Sequence, residues 1–403
     1  MKDRVKLVVA KNMLPPYRVE FLRRLGTHCD LTLLLDTLSE GGRGWEVGSG
    51  CEEFECRLLG SPSVAYRYKG ADRDLSEERF AQFPLKILPV LEEIRPECVV
   101  SAELGFRSVL AALWCFWRKA PLVIWWEGTP HTERGTGRGR RAVRRFLAKR
   151  ASRFWSNGAE SEEYLASLGV PRERIDNGMT GVDCDFFVRG AARARAERDR
   201  LRGEVGVRGR AILYSGSLSA RKGIGELLRA MEDPALRTVA SDLTLIFVGE
   251  GELRDTIANW RRRNGWVKVV LTGFVQTGRL PELYAISDLF VLPTIEDNWA
   301  LATLEPLLCG VPSLISRYNG AASDLVPGEG ADWAQVVDPK NPREFAAALV
   351  HQLGKLPRTV PEHEVRRLAE YYHPARQARR AFESVQAAVA GARRAAGFDE
   401  GEK

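Results

Sequence analysis

Short, uninterrupted apolar runs return along most of this chain, each followed by a longer amphipathic stretch. That alternation narrows the possible folds more than any other feature. In the first half the runs fall at 7–10, 31–35, 98–101, 122–126 and 154–156. In the second they fall at 212–215, 243–248, 267–271, 289–292, 313–315 and 335–337. An apolar run without polar alternation reads as a strand buried on both faces. The stretches between, such as 253–264, have helical spacing and length. Strand then helix, repeated, gives right-handed βαβ units and parallel sheets. Two such series predict two doubly wound α/β domains.

The length of 403 residues agrees with more than one domain, at about 150 residues each. Segment 189–210 is rich in Ala, Arg and Gly and lacks a strong apolar period. The expected division is a first domain over 1–190, a linker at 191–210, a second domain over 211–360, and C-terminal helices and tail over 361–403. Helical patterns cover 341–353, 361–372 and 374–392, and 397–403 reads as a frayed tail.

Composition matters here for what it excludes. With 44% hydrophobic and 28% charged residues the chain is an ordinary globular one. A net charge of +7, from 60 basic and 53 acidic residues, is too small for this length to imply nucleic acid. The 7 cysteines, Cys51 among them, are scattered, with no C-x-x-C pair or Cys/His ligand spacing. Buried thiols in a reducing compartment and no zinc site are expected. The first strand follows the N-terminus almost at once, without a secretory h-region. The longest apolar stretch, 108–117, is half a bilayer crossing. These features point to a cytoplasmic protein, with peripheral contact at the inner membrane face as the alternative.

In open parallel sheets, ligands bind outside the carboxyl ends of the strands, so chemistry is sought in the loops that follow strands. Loop 216–223 reads G-S-L-S-A-R-K-G between a strand and a helix near Ile224. Its glycines allow close backbone approach, and Lys222 with amides at the helix start suits a phosphate. Alone, it is equally a turn with a solvated lysine. V-G-E-G at 248–251 and T-G-F-V at 272–275 repeat the strand-to-loop pattern and are bland in isolation. After the strand ending at Pro293 comes an acidic loop, with Asp297 and Glu305 eight positions apart. A helix starting near Trp299 would carry Glu305 two turns inside it. Free amides from Trp299 through Ala300 to Leu301 could hold phosphate, and carboxylates accept hydrogen bonds from sugar hydroxyls.

Taken together, these loops resemble family 4 of the retaining, nucleotide-sugar-dependent glycosyltransferases, of the GT-B fold. That family's second domain carries G-x-L-x-x-x-K-G, V-G-x-G, G-x-V, a strand ending in Pro, and an acidic residue eight positions before a Glu. Here these are 216–223, 248–251, 273–275, Pro293 and Asp297 with Glu305, in that order. The resemblance is strong over 211–340. It is looser in the first half, at 14–18, at the 127–134 loop and at Gly181-Val182-Asp183 with Phe186. Three departures stand out: Ser217 where Arg is frequent, Asp297 where Glu is commoner, and Asn298-Trp299-Ala300 in place of Gly-Phe-Gly.

The resemblance implies two Rossmann-like domains facing a central cleft, the first for the acceptor and the second for the donor. It implies transfer from a UDP- or GDP-sugar to a hydroxyl of a glycan, lipid-linked or small-molecule acceptor, with retention. Lys222 would hold the donor diphosphate, with Gly216, Ser217, Arg221, Val275, Trp299, Ala300 and Leu301 around the donor. Glu305 would take the ribose and Asp297 the donor sugar. Glu127 or His131 would line the acceptor side, where His131 is equally a surface histidine. Arg18 would approach diphosphate or acceptor, or else be an exposed helix charge. No metal or other cofactor is expected. The string Asp183-Cys184-Asp185 has the D-x-D form of a metal site, but Asp183 falls on the domain-end motif. A nucleotide-sugar epimerase and an inactive sugar-nucleotide binder are the rival readings.

One segment stands apart. Residues 138–153 hold eight bases and no acid, with Val143, Phe146, Leu147 and Phe154 at helical spacing. Such a helix can lie on anionic lipid. The alternative is a solvated face over a core stripe.

Overall fold

The structure is a computed structural model and describes residues 4–38, 54–69, 76–328 and 331–397. Cys51 and the end of the expected tail, 398–403, lie outside the described residues. The chain forms two compact units, one of Met1–Val182 with Tyr372–Lys403 and the other of Asp183–Tyr371.

The first unit is built on a parallel sheet. Across it the strands run Glu55–Leu58, Asp30–Leu35, Lys6–Lys11, Cys98–Ala102, Leu122–Trp126, Arg153–Ser156 and Ile175–Asp176. The central strands Cys98–Ala102 and Leu122–Trp126 are buried at every residue, which is why they read as unbroken apolar runs. A separate antiparallel pair, Ser63–Lys69 with Ser76–Gln82, is added between strands. The helix Pro374–Ala395 returns to this unit. Its Ala378, Ala381, Val385 and Ala388 share a core cluster with Leu22 and Leu25 of the helix Pro16–Gly26. Their spacing of three or four puts them on one stripe. Trp155 Nε1 donates to Ser384 Oγ at 2.9 Å, fixing that stripe's register.

The second unit has its own parallel sheet. The strands lie in the order Val267–Gly273, Leu243–Val248, Arg210–Ser215, Leu289–Leu292, Ser313–Ser316 and Ala334–Val337. In sequence order this is 3-2-1-4-5-6, the arrangement of a dinucleotide-binding fold. Leu213, Leu245, Ile246, Phe290 and Val291 are fully buried in it. Each such side chain contributes about 1.5–3 kcal/mol on leaving water.

Every apolar run at 7–10 through 335–337 is a strand. The division of the chain is different from the expected one. Residues 191–210 are not a linker, because Cys184–Ala196 and Arg198–Val205 are helices of the second unit. Arg198 pairs with Asp288 at 2.6 Å, and Arg202 donates to Ile286 O at 2.7 Å. Such polar anchoring leaves no apolar period to read. The break falls instead between Val182 and Asp183. The segment 361–403 is also no separate body: Glu362–Tyr371 stays with the second unit, and Pro374–Ala395 belongs to the first.

Candidate functional site

The switch point of the second sheet lies between Arg210–Ser215 and Leu289–Leu292, adjacent strands whose helical connections run to opposite sides. The two loops leaving these strand ends are joined by their backbones. Ile295 N–H donates to Arg221 O at 2.8 Å, and Thr294 Oγ1 to the same oxygen at 3.1 Å. Gly223 sits at φ 75°, and a Cβ there would run into the Pro293 carbonyl oxygen. Only glycine lets the loops approach this closely. The V-G-E-G turn locks the other side. Gly216 N–H donates to Val248 O at 2.9 Å, and Leu218 N–H to Glu250 O at 2.8 Å.

Held this way, Lys222 Nζ donates to Asp297 Oδ2. Both side chains are mostly covered, at 15% and 14% exposure. Arg221 lies 3.9 Å from the same carboxylate and donates to Glu296 O at 2.8 Å. Burial pushes the Asp297 carboxyl up, but Lys222 and then Arg221 outweigh it, leaving it below the usual range. The loops thus assemble two cations around one ionised carboxylate. Anchoring continues through the Asp297 amide, which donates to Tyr318 O at 3.1 Å.

Glu305 occupies a different setting. It lies in the first turn of the helix Leu304–Leu308, preceded by the 3-10 turn Leu301–Thr303, and not two turns inside a helix beginning near Trp299. Residues from 297 to 300 are instead pinned to the loop around Asn319. Asn319 Oδ1 accepts from Ala300 N–H and from Ala321 N–H, both at 3.1 Å. The Ala300 amide expected to be free is therefore committed. So is the Gly223 amide, which donates to Ala220 O at 3.0 Å. Glu305 Oε2 accepts from the Tyr284 hydroxyl at 2.6 Å. Burial pushes the Glu305 carboxyl up to about 7, against the downward effect of Tyr284.

The remaining donor-side expectations divide. Gly216 and Ser217 stand at the first strand's end, where Ser217 O accepts from the Tyr214 hydroxyl at 2.7 Å and its own hydroxyl is exposed. Trp299 is buried at 6% exposure and donates from Nε1 to Asp324 at 2.8 Å, so its indole serves the fold. Val275 is half-buried beyond the strand Val267–Gly273, and Leu301 is half-buried in the 3-10 turn. Among the described residues no hydrogen bond or ion pair joins either to Lys222 or Asp297.

The first unit brings Arg18 and Glu127 together. Arg18 is no exposed helix charge: it is 3% exposed and donates to Glu127 Oε1 at 3.1 Å and Met179 O at 3.2 Å. Its guanidinium lies 4.7 Å from the Trp125 ring centre. Trp125 is in turn held by Asn157 Oδ1, which accepts from Nε1 at 3.2 Å. For Glu127, burial acts upward, but Lys11, Arg18 and an Asn157 hydrogen bond together bring its carboxyl below the usual range. His131 is half-buried in the following turn, where its carbonyl accepts from Arg134 N–H at 3.4 Å.

Several polar groups here had no motif to announce them: Tyr284, Asn319, Lys11 and Glu103. Glu103, just past Cys98–Ala102, takes φ 81°, unusual for a residue with a side chain, and lies 3.4 Å from Arg107. Lys11 gave one faint signal, as the polar residue closing an apolar strand.

The D-x-D carboxylates are engaged structurally. Asp183 caps the helix Cys184–Ala196 by accepting Phe186 N–H at 3.0 Å, and Asp185 pairs with Arg189 at 3.2 Å. Among the described residues, no three His, Cys, Asp or Glu side chains gather as a metal site.

The run 138–153 forms the helix Arg138–Arg150. Its apolar stripe splits: Leu147 and Phe154 are fully buried, while Val143 and Phe146 are 38% and 46% exposed. The helix is not wholly a solvated basic face either, since Arg144 is buried against Glu133 and Tyr164. Among the described residues no helix is long and apolar enough to cross a membrane.

Both halves of the chain match known protein families. Residues 209–355 match the family described as glycosyl transferases group 1, and residues 15–177 match the glycosyl transferase 4-like domain. An uncharacterized glycosyltransferase of Methanocaldococcus jannaschii is 31% identical over 191 residues, 46% of each chain. The GDP-mannose-dependent alpha-(1-6)-phosphatidylinositol dimannoside mannosyltransferase of Mycobacterium tuberculosis is 26% identical over 262 residues, 62% of this chain and 65% of that one. The chain thus matches about half to two-thirds of the length of these relatives. In fold it is similar to Anabaena HepE, solved in complex with UDP, with a TM-score of 0.69 and 17% identity over 95% of this chain and 100% of that one. HepE has also been solved with UDP-glucose, where the TM-score is 0.65.

Proposed function

Because this chain belongs to glycosyltransferase family 4 and has the GT-B fold, we propose that it transfers a sugar from a UDP- or GDP-sugar to a hydroxyl, with retention. The acceptor is a glycan, a lipid-linked glycan or a small molecule. The observation that carries the reading is the pairing of Lys222 with Asp297 at the switch point of the second sheet. The developing charge of a diphosphate leaving group is the main thing such a site must stabilise. Lys222, with Arg221 beside it, supplies fixed positive charge there. Asp297 is ionised and can accept hydrogen bonds from donor-sugar hydroxyls. Glu305, on Tyr284, takes the paired hydroxyls of the ribose. The leaving phosphate assists the incoming hydroxyl on the same face of the sugar. The nucleotide complexes of HepE and the GDP-mannose donor of the mycobacterial relative support a nucleotide-sugar donor of this kind.

The reaction in this reading needs no metal, since lysine and arginine meet the diphosphate charge directly. The test is turnover of UDP-glucose and GDP-mannose with an acceptor panel, with and without excess chelator. Product formed only when acceptor is present supports transfer. A changed sugar on the nucleotide with donor alone indicates an epimerase instead. Loss of turnover in chelator, restored by manganese, overturns the metal-free mechanism.

We also propose that the first unit meets anionic membrane. The helices Phe106–Arg118 and Arg138–Arg150 pack together. Phe116 and Trp117 stand 63% and 64% exposed near the half-exposed Phe146. Arg150 lies 5.1 Å from the Phe116 ring centre and 5.5 Å from that of Phe146. Exposed aromatics among arginines, with no acid on the basic helix, suit the boundary between headgroups and acyl chains.

A further inference from the structure

Two cations in the first unit share one aromatic ring, and of the two only Arg18 has a carboxylate at hydrogen-bond distance. Lys11 closes the first strand at its carboxyl end and is only 7% exposed. Its Nζ stands 4.3 Å from the Trp125 ring centre and makes no hydrogen bond or ion pair with any described residue. Arg18 is 3% exposed, 4.7 Å from the same ring, and has Glu127 as its carboxylate. Arg107, whose charge also reaches Lys11, is already paired with buried Asp36 and with Glu103. Of these three cations, Lys11 is the one with no carboxylate at contact distance; Glu127 and Glu103 act on it only through space.

Burying an ammonium without a hydrogen-bonded partner is costly. Burial lowers the Lys11 pKa to about 8, with Arg18 and Arg107 acting in the same direction and Glu127 and Glu103 against it. The Trp125 face gives back only part of that cost, about 0.5–2 kcal/mol for a cation over an aromatic ring. A methionine or leucine would pack the same strand end without the penalty. The cation sits at the switch point of the first sheet, between Lys6–Lys11 and Cys98–Ala102, where such folds place ligands.

We propose that Lys11 and Arg18 bind a phosphate group carried by the acceptor substrate. An ammonium point charge and a guanidinium fork are suited to phosphate oxygens. Trp125 lies against both cations, and the half-exposed Glu127 is placed to accept a hydroxyl beside the phosphate. The acceptor class is therefore a phosphate ester with a nearby free hydroxyl, either a soluble sugar phosphate or a phospholipid headgroup. That the ligand is an acceptor rests on the transferase reading; that the two cations bind phosphate does not.

The test uses the full chain and calorimetric titration with inorganic phosphate. K11M keeps an unbranched apolar stem over Trp125 and removes the charge. It is expected to lose at least about tenfold in phosphate affinity, the scale of one charge-assisted hydrogen bond. It should keep or raise the melting temperature, since a buried charge without a hydrogen-bonded partner is gone. The titration is run with UDP saturating the donor site, and K11M should keep UDP affinity within about twofold. Equal phosphate binding by K11M and the native chain overturns the proposal. So does a fall in UDP affinity in K11M, which assigns the cation to the donor. A lower melting temperature in K11M overturns it as well, by giving Lys11 a structural role. Two competition arms name the source: sugar phosphates displace inorganic phosphate if the acceptor is soluble, and phosphatidylinositol vesicles do so if it is lipid. Displacement by neither overturns the acceptor assignment. Absence of transferase activity alongside intact Lys11-dependent phosphate binding would defeat the transferase reading alone.

Discussion

Lys222 and Asp297, 75 positions apart in sequence, meet as an ion pair across the switch point of the second sheet. The pair keeps both charges satisfied while no diphosphate is present, and removing one partner leaves the other buried and uncompensated. K222A should therefore lower turnover roughly a hundredfold or more, the scale for losing one preorganised charge stabiliser. It should also raise the Asp297 pKa, because the first of the cations holding it down is gone. D297N removes the sugar contact and keeps the lysine, so nucleotide diphosphate affinity should hold within a few-fold while turnover falls. Single-turnover rates with calorimetric affinities check both. Equal losses of UDP affinity in the two variants would contradict the separate roles.

Glu305 predicts a pH dependence with a definite sign. In the folded chain its carboxyl titrates at about 7, against 4.5 ordinarily. Between those values the folded state holds a proton that the unfolded chain has released. Its contribution to stability therefore falls as pH rises through that window. Nucleotide binding runs the other way. The ionised carboxylate is the better acceptor for ribose hydroxyls, so UDP should bind more tightly from pH 6 to pH 8 and release a proton on binding near pH 7. Calorimetry in buffers of different ionisation enthalpy reads that proton. E305Q should flatten the profile to the titration of the nucleotide phosphate alone. It should also weaken binding by about 1.5–3 kcal/mol, the range for a hydrogen bond to a charged group.

Gly223 is the residue that lets the two site loops approach. Alanine there meets both a positive φ and the Pro293 carbonyl oxygen. G223A should cost at least about 1–3 kcal/mol in denaturant unfolding, the scale of a strained backbone position. Because the strain falls between Lys222 and Pro293, nucleotide affinity should fall with it. G225A is the control: its Cβ meets nothing within 4 Å, so alanine should be tolerated.

Much of this was legible in the sequence, and the reasons differ by element. The buried strands were readable because parallel strands covered on both faces carry no polar interruption. The pair Ser63–Lys69 and Ser76–Gln82 and the short Ile175–Asp176 lack such runs and were not seen. The residues of the Lys222 and Asp297 loops were readable because glycines and charges recur there at fixed spacing. Their mutual contact was not, since it depends on which strands are neighbours. Tyr284 and Asn319 were invisible for the same reason: each serves a partner brought near only by the sheet order. The domain break was misplaced because the helices after Asp183 are held by arginines on backbone carbonyls and Asp288, which leave no apolar period. For Arg18 the sequence left a site residue and an exposed helix charge both open, because its burial comes from Trp125 and Met179, far along the chain.

The exposed aromatics of the first unit give the last prediction. Phe116 and Trp117 are over 60% exposed on one helix, and Phe146 is nearly half exposed on the next, which is strongly basic. If this face meets lipid, binding has two separable parts. The arginines supply a long-range attraction of about 1 kcal/mol per charge to anionic surface, screened by salt. The aromatics supply apolar burial that salt does not screen. Full-length protein should therefore co-sediment with vesicles containing phosphatidylglycerol and not with purely zwitterionic ones, and release should begin as salt rises. Replacing Arg140, Arg141 and Arg145 with glutamine should abolish the salt-sensitive part. F116S with W117S should weaken binding at every salt concentration while leaving its salt dependence intact. Arg144 is left alone because it is buried against Glu133, and changing it would test the fold and not the surface. Equal, negligible sedimentation with both vesicle types would return the basic helix to a solvated role.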